Sequence, residues 1–116
     1  MNTKRQRKLY GIRVHVDGKM MLQEIRQEEK WDTICKILGT TRTERLEGGG
    51  FNGNNRIVVC DAYATAVKGK NEIASRLAGK NVFGTAVLLR ENTNGIPVLM
   101  TDGGAFRMKQ EVERGW

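Results

Sequence analysis

The fold of this chain is decided by residues 56–61, which read RIVVCD. The four residues from Ile57 to Cys60 are all apolar, so neither face of this segment alternates with polar side chains. A strand of this kind is typically covered on both faces and paired on both sides. The segment therefore predicts an interior strand of a sheet, and the rest of the fold is worked out from it.

Alternating residues on both sides of this segment predict further strands. Apolar residues alternate with polar ones in residues 9–16, and the Asp17-Gly18 dipeptide after them is typical of a two-residue hairpin turn that leads into a strand at 19–25. Downstream, residues 82–90 form another apolar segment. The turn from Asn92 to Gly95 returns the chain as an edge strand at 96–101, since Pro97 cannot donate to a sheet ladder.

Helical spacing marks two segments between these strands. Trp31, Ile34, Cys35 and Leu38 recur at i, i+3, i+4 and i+7, which predicts a buried stripe on a helix over 28–38 that ends at Gly39. A second helix is predicted over 71–78, because Asn71 can cap it and Gly79 can end it.

The C-terminal residues predict a third helix. Asp102, Gly103 and Gly104 are expected to break the last strand as a turn, and Ala105 to Arg114 can then form a charged helix. Together these elements predict an α+β fold, with a small antiparallel sheet of about five strands and two to three helices.

Two segments leave alternatives open. Residues 40–47 fit either an edge strand or an extended connection. Residues 48–55, GGGFNGNN, match the spacing of a dinucleotide fingerprint, but a strand follows them where that fingerprint needs a helix. We therefore interpret 48–55 as a Gly/Asn loop carrying an exposed Phe51, either a lid or oligomer contact or a plain hairpin loop.

Length and charge bound the class of protein. A chain of 116 residues and 13.1 kDa has room for one core, so we expect a single domain over 9–116 preceded by a basic arm over 1–8 that either docks lightly or only improves solubility. A net charge of +7 points to an anionic partner. No apolar run is long enough to span a bilayer and no signal peptide is recognisable, which predicts a cytosolic protein without a membrane partner.

The residue types argue against catalysis and metal binding. Cys35 and Cys60 each lie in an apolar pattern, so both are expected to be reduced core thiols, and one histidine is too few for a zinc site. Asp61 and Asp102 end apolar strands, a position that suits either a catalytic carboxylate or a turn residue. The chain is therefore expected to have no catalytic residues, no metal and no cofactor.

Residues suited to binding a nucleotide are expected to converge at one end of the sheet. Arginines at strand ends and free backbone N–H groups of glycines suit phosphate, while an aromatic ring and an amide suit a base or ribose. Taken singly, each arginine also fits a solvated surface charge, and the phenylalanines also fit core packing. The predicted ligand-binding residues are Arg56, Phe83, Arg90, Asn92, Asp102, Gly103, Gly104, Ala105, Phe106 and Arg107.

The order of elements and three segments resemble a group of small phage and prophage proteins. The segments are the central strand ending at Asp61, residues 68–77 (KGKNEIASRL) and residues 81–89 (NVFGTAVLL). This resemblance covers about residues 9–106, and within that group the layout is similar to the Thoeris anti-defence sponges of the first Tad type. The resemblance implies a non-enzymatic homo-oligomer, a hexamer built of dimers, in the cytoplasm of a bacterial host. It also implies sequestration of cyclic ADP-ribose isomers or cyclic oligonucleotides without cleavage.

Two other functions fit the sequence. A basic phage accessory protein would bind DNA or RNA through the N-terminal arm and a face bearing Arg42 and Arg45, with an affinity that falls steeply as salt rises. A protein-binding inhibitor of a host enzyme is the third alternative, and composition does not test it.

Overall fold

A computed structural model describes residues 8–51 and 54–115, without the side chains of Phe51 and Asn54. The predicted basic arm lies outside the described residues except for Lys8, which is exposed, and the expected exposure of the Phe51 ring also lies outside them. The described residues form six strands and three α-helices in the chain order β1 Tyr10–Val14, β2 Met20–Glu24, α1 Lys30–Leu38, β3 Thr43–Phe51, β4 Asn54–Asp61, α2 Glu72–Ala78, β5 Ala86–Glu91, β6 Pro97–Val98 and α3 Asp102–Glu113.

The strands form one antiparallel sheet in the order β2-β1-β5-β4-β3, and β6 pairs with the end of β5. This confirms the predicted α+β class with its small antiparallel sheet. β4 has neighbours on both sides, as its apolar sequence predicts, although β5 occupies the middle of the sheet.

Helices cover both faces of the sheet, which explains why β4 is apolar throughout. Val58 and Cys60 belong to a core cluster with residues of α2 and α3. Ile57 and Val59 belong to a second cluster, which includes Ile34 of α1. Because successive strand residues point to opposite faces, a single apolar segment builds both cores.

The first hairpin has a three-residue loop, so the expected two-residue turn at Asp17-Gly18 is wrong. The backbone N–H of His15 donates to the Lys19 carbonyl at 2.9 Å, and the Gly18 N–H donates to the His15 carbonyl at 3.0 Å. Gly18 has a φ of +92°, the left-handed conformation that closes a loop of this length.

The expected Gly/Asn loop is mostly strand. The described residues of 48–55 belong to β3 and β4, whose register shifts between Glu47 and Gly50. Gly49 has a φ of +67° at this bulge, and a Cβ on Gly48 would lie 3.2 Å from Cγ2 of Val58. These glycines therefore serve a bulge and a close contact rather than a lid. The segment 40–47 resolves as the edge strand β3, starting at Thr43.

Three other boundaries differ from expectation. The strand predicted over 82–90 begins at Ala86, since Gly84 turns the chain with a φ of +82°, and the strand predicted over 96–101 is only Pro97–Val98. Asp102, Gly103 and Gly104 do not form a turn. They open α3, where Thr101 caps the helix and its Oγ1 accepts from the Gly104 N–H at 3.2 Å.

The two other helices are placed close to the prediction. α1 begins at Lys30, after a 3-10 turn over Gln27–Glu29, and ends at Gly39 with a φ of +71°. Ile34 and Leu38 are buried, whereas Trp31 and Cys35 are half-buried, so the expected fully buried stripe is wrong at two positions. The Trp31 ring instead lies under the Arg45 guanidinium, 4.8 Å from its centroid.

Asn71 caps α2 as predicted and also ties three segments together. Its Oδ1 accepts from the Ala74 N–H at 3.1 Å, and its Nδ2 donates to the carbonyls of Val14 and Gly84, each at 2.9 Å. The side chain is completely buried. Asn71 therefore fixes α2, the end of β1 and the segment before β5 in one arrangement.

Candidate anion-binding site

Antiparallel pairing brings two of the predicted arginines together. Arg56 near the start of β4 and Arg90 near the end of β5 are direct Cα partners. Residues directly opposite in an antiparallel pair point to the same face of the sheet. Both side chains therefore project toward the face that α3 covers.

An open cleft of about 380 Å³ lies between the end of β5 and the start of α3. Arg90 from the sheet and Arg107 from the helix both line it, together with Gly104, and both arginines are exposed. The remaining lining residues are Leu9, Leu99, Met100, Thr101 and Met108. The cleft thus has two solvent-facing guanidinium groups above the buried side chains of Leu99, Met100 and Met108.

The first turn of α3 adds to the positive potential at this cleft. Gly104 lines the cleft in that turn, where the partial charge of the helix favours an anion. Thr101 already accepts from two of the N–H groups, those of Gly104 through Oγ1 at 3.2 Å and Ala105 through its carbonyl at 2.8 Å. The exposed Asp102 carboxylate opposes this potential from the same turn.

Arg56 has a different place from the one predicted. It is buried and its Nη2 donates to Glu111 Oε1 at 3.2 Å, an ion pair between β4 and α3. Arg56 does not line the cleft, since its charge is turned into the protein beneath α3.

Phe83 lies at the opposite end of β5 from Arg90. It lines a separate cleft of about 160 Å³ with Leu38, Asp61 and Gly84. The residues from Ala86 to Arg90 alone span about 13 Å of strand, so one nucleotide base stacked on Phe83 would be far from the arginines. Phe83 is thus separated from the other predicted site residues.

The other predicted residues are near the cleft but do not line it. Asn92 serves the turn between β5 and β6, where its Oδ1 accepts from the N–H groups of Asn94 and Ile96 at 2.9 Å each. Ala105 is buried in the core, while Gly103 and Phe106 are exposed on α3. Of the ten predicted residues, the cleft therefore contains Arg90, Gly104 and Arg107.

The sequence does not predict that apolar residues lie beneath the cleft. Met100 and Leu99 follow β6, and Met108 lies one turn beyond Gly104 on α3. Their apolar character indicates core positions, and they are in fact buried. Thr101 is an available signal, because threonine is a common helix N-cap whose side chain accepts from the backbone N–H three residues later.

The buried Cys60 thiol is not an activated nucleophile. Burial raises the pKa of the Cys60 thiol to about 11, so it stays protonated at neutral pH. The pKa of Lys30 is lowered by burial and by the nearby Arg45. Asp61 forms a turn, with Oδ1 accepting from the Tyr63 N–H at 2.9 Å. The described residues contain no group of three or more potential metal ligands.

The surface proposed for nucleic acid has two arginines stacked on aromatic rings. The Arg42 guanidinium carbon lies 6.0 Å from the centroid of the Tyr63 ring, and that of Arg45 lies 4.8 Å from the centroid of Trp31. Both arginines are exposed. These contacts hold each guanidinium against a ring near the β3 edge of the sheet.

None of the helices in the described part of the chain has the length and apolarity that crossing a bilayer requires. No family model, curated protein or solved structure matches this chain.

Proposed function

We propose that this protein binds and sequesters a cyclic nucleotide, without cleaving it, in the cleft between Arg90 and Arg107. The observation that carries the proposal is that these two exposed arginines line one cleft beside the start of α3. Guanidinium groups bind phosphate through paired charge-assisted hydrogen bonds. The net charge of +7 further favours an anionic ligand.

The size of the cleft suits a nucleotide. Small-molecule sites commonly enclose about 300–1,000 Å³, and this cleft encloses about 380 Å³. The half-buried Leu9 offers some apolar surface at the cleft, whereas Met100 and Met108 are buried beneath it. The resemblance to Thoeris anti-defence sponges supports cyclic ADP-ribose isomers and cyclic oligonucleotides as the ligands to test.

Retention without cleavage follows from the residue types at the cleft. Apart from the two arginines, its described lining is threonine, glycine, leucine and methionine. General acid-base catalysis needs a group that exchanges a proton near neutral pH, and guanidinium does not do so. A protein of this kind would act by lowering the free concentration of a signal, as an anti-defence sponge does.

We also infer that the protein is a homo-oligomer, as a hexamer built of dimers in the host cytoplasm. A cleft open on the surface of one small chain leaves much of a nucleotide exposed, and a neighbouring subunit would cover it. Light scattering at micromolar concentration tests this: a mass equal to one 13.1 kDa chain would refute it.

Calorimetric titration of cyclic ADP-ribose isomers and cyclic trinucleotides tests the ligand and the site together. We expect Arg90→Ala and Arg107→Ala each to weaken binding by about 1.5–3 kcal/mol, roughly ten- to a hundredfold. Arg76→Ala, which removes an exposed arginine from α2, is the matched control and should bind as wild type does. Equal binding by all variants would place the site elsewhere, and no binding by wild type would reject the function.

Nucleic-acid binding is the second candidate, favoured by the stacked arginines Arg42 and Arg45. Proteins that bind single strands combine cationic side chains with aromatic rings, and this edge of the sheet has both. A labelled oligonucleotide titrated at two salt concentrations separates the candidates, because its affinity should fall steeply with salt and depend on Arg42 rather than on Arg107.

A further inference from the structure

β3 is an edge strand whose outer side has backbone groups directed away from the sheet. In the described residues it pairs with β4 alone. The Ala62 N–H donates to the Arg42 carbonyl at 3.0 Å, so Arg42 and Ala62 form a hydrogen-bonded pair. Hydrogen-bonded and non-hydrogen-bonded pairs alternate along an antiparallel ladder. The backbone groups of Thr43, Arg45 and Glu47 therefore point outward.

Side chains at this edge have a self-complementary order. Arg45 and Glu47 are both exposed and lie on the α1 face, since their β4 partners are Val59 and Ile57. Leu46 lies on the other face opposite Val58 and is half-buried against that core. The edge thus presents one positive and one negative charge on either side of an incompletely buried leucine.

We propose that two copies of this chain pair through their β3 edges, antiparallel, about a two-fold axis at Leu46. In this register Arg45 of each copy lies opposite Glu47 of the other, and the two Leu46 side chains meet. The pairing would join two sheets into one continuous sheet. It is independent of the proposed ligand and holds whether or not the cleft binds a nucleotide.

Charge selects this register over its neighbours. An axis at Arg45 would place the two Arg45 side chains opposite each other, and an axis at Glu47 would do the same with two carboxylates. An axis at Glu44 would oppose two further carboxylates. Like charges directly opposite each other in a sheet are destabilising, whereas opposite charges stabilise. Among the axes at residues 44–47, only the axis at Leu46 gives two attractive pairs.

The glycines beyond Glu47 fit the same register. Glu44 would lie opposite Gly48, and Thr43 opposite Gly49, so neither meets a side chain. The bulge between Glu47 and Gly50 bends the strand there and ends the flat part of the edge. Regular pairing would therefore be centred on residues 45–47 and would end at the bulge of each copy.

A charge-reversal cycle on the full chain tests the register. Wild type should sediment with twice the mass of the 13.1 kDa chain, or as a larger assembly that contains this dimer. Glu47→Arg alone should weaken the dimer about tenfold or more, because it replaces two attractive pairs with two repulsive ones. The double change Arg45→Glu with Glu47→Arg should restore association. Circular dichroism checks that each variant folds.

Crosslinking at the axis provides a second measurement. The Leu46 pair is non-hydrogen-bonded in this register, with Cα atoms about 4.5 Å apart, within the range that a disulfide spans. Leu46→Cys in a Cys35→Ser background should therefore oxidise to a covalent dimer. Met21→Cys, at the opposite edge in β2 and 49% exposed, is the control and should crosslink far more slowly. A monomeric wild type, a dimer indifferent to Glu47→Arg, or equal crosslinking at both edges would overturn the proposal.

Discussion

Arg56 of β4 and Glu111 of α3 form an ion pair, Nη2 to Oε1 at 3.2 Å, with side chains only 2% and 8% exposed. The pair joins the underside of α3 to the strand next to β5. Since Arg107 lies one turn before Glu111 on the same helix, the pair also fixes where Arg107 stands relative to Arg90. Arg56 is thus a positioning residue for the cleft that Arg90 and Arg107 line.

Removing the carboxylate of this pair should be costly. Glu111→Gln removes the carboxylate that pairs with the buried Arg56 guanidinium, and breaking a buried pair in this way typically costs about 3–5 kcal/mol. Glu113→Gln is the matched control on the same helix. It breaks the Lys109 pair at 2.9 Å, which is partly exposed, so a loss below about 1 kcal/mol is expected. Urea denaturation of both variants measures the difference, and equal losses would contradict it.

Trp31 should contribute less to stability than its sequence pattern indicates. A fully buried tryptophan replaced by alanine costs about 3–5 kcal/mol, but Trp31 is half-buried under Arg45, so we expect about 1.5–3 kcal/mol for Trp31→Ala. Ile34→Ala, at a completely buried position of the same helix, should cost about 2–5 kcal/mol. Chemical denaturation compares the two, and a larger loss for Trp31→Ala would show that the ring is more buried than described.

Periodicity and capping residues predicted most of the elements because both are local properties. The apolar run in β4, the i, i+3, i+4 spacing in α1 and the Asn71 cap each appear in adjacent residues. Gly103 and Gly104 misled the prediction, since glycine disfavours helix by about 1 kcal/mol per residue and tertiary packing overrides it here. Ala105, Met108 and Val112 supply that packing.

The site was predicted less well because it depends on distant pairs. Arg56 and Glu111 are 55 positions apart, and neither residue's neighbours reveal that the other will lie beside it. The register that opposes Arg56 to Arg90 likewise follows from sheet order, which local patterns do not determine. Convergence of strand ends predicts Phe83 at the site, but Phe83 lies at the opposite end of its strand from Arg90 and lines a separate cleft.

Asn71 should be among the most sensitive polar positions. Asn71→Ala removes a helix cap worth about 1 kcal/mol and leaves two carbonyls short of a donor at about 1–3 kcal/mol each, so a loss of about 3 kcal/mol or more is expected. Asn71→Asp keeps the cap acceptor but loses both donated bonds, and it should be as destabilising. Asn81→Asp, at an exposed position, is the control. A mild effect of Asn71→Asp would mean that the cap alone matters.

Cys60 should make the fold less stable in alkali. Its pKa is raised from 9.0 to about 11 by burial, so between these values the unfolded chain loses the thiol proton while the folded chain keeps it. Stability should therefore fall as pH rises from 9 to 11, by about 1.4 kcal/mol per pH unit. Cys60→Ala lacks this contribution. Subtracting its pH profile of stability from that of wild type cancels the contributions that the two proteins share, including that of Lys30. A pH-independent difference between the two proteins would refute the effect.

The two glycines that open α3 should respond differently to alanine. A Cβ on Gly103 meets nothing within 4 Å, so Gly103→Ala should stabilise the helix by about 0.5–1 kcal/mol and leave ligand binding unchanged. A Cβ on Gly104 would lie 3.3 Å from Thr101 Oγ1 and 3.9 Å from the Met100 side chain, both of which line the cleft. Gly104→Ala should therefore crowd the cleft and weaken nucleotide binding by on the order of 1 kcal/mol, about fivefold.

Thermal unfolding and calorimetry on the same two variants separate stability from binding. If Gly103→Ala weakens binding and Gly104→Ala leaves it unchanged, the ligand approaches α3 from a side other than the cleft.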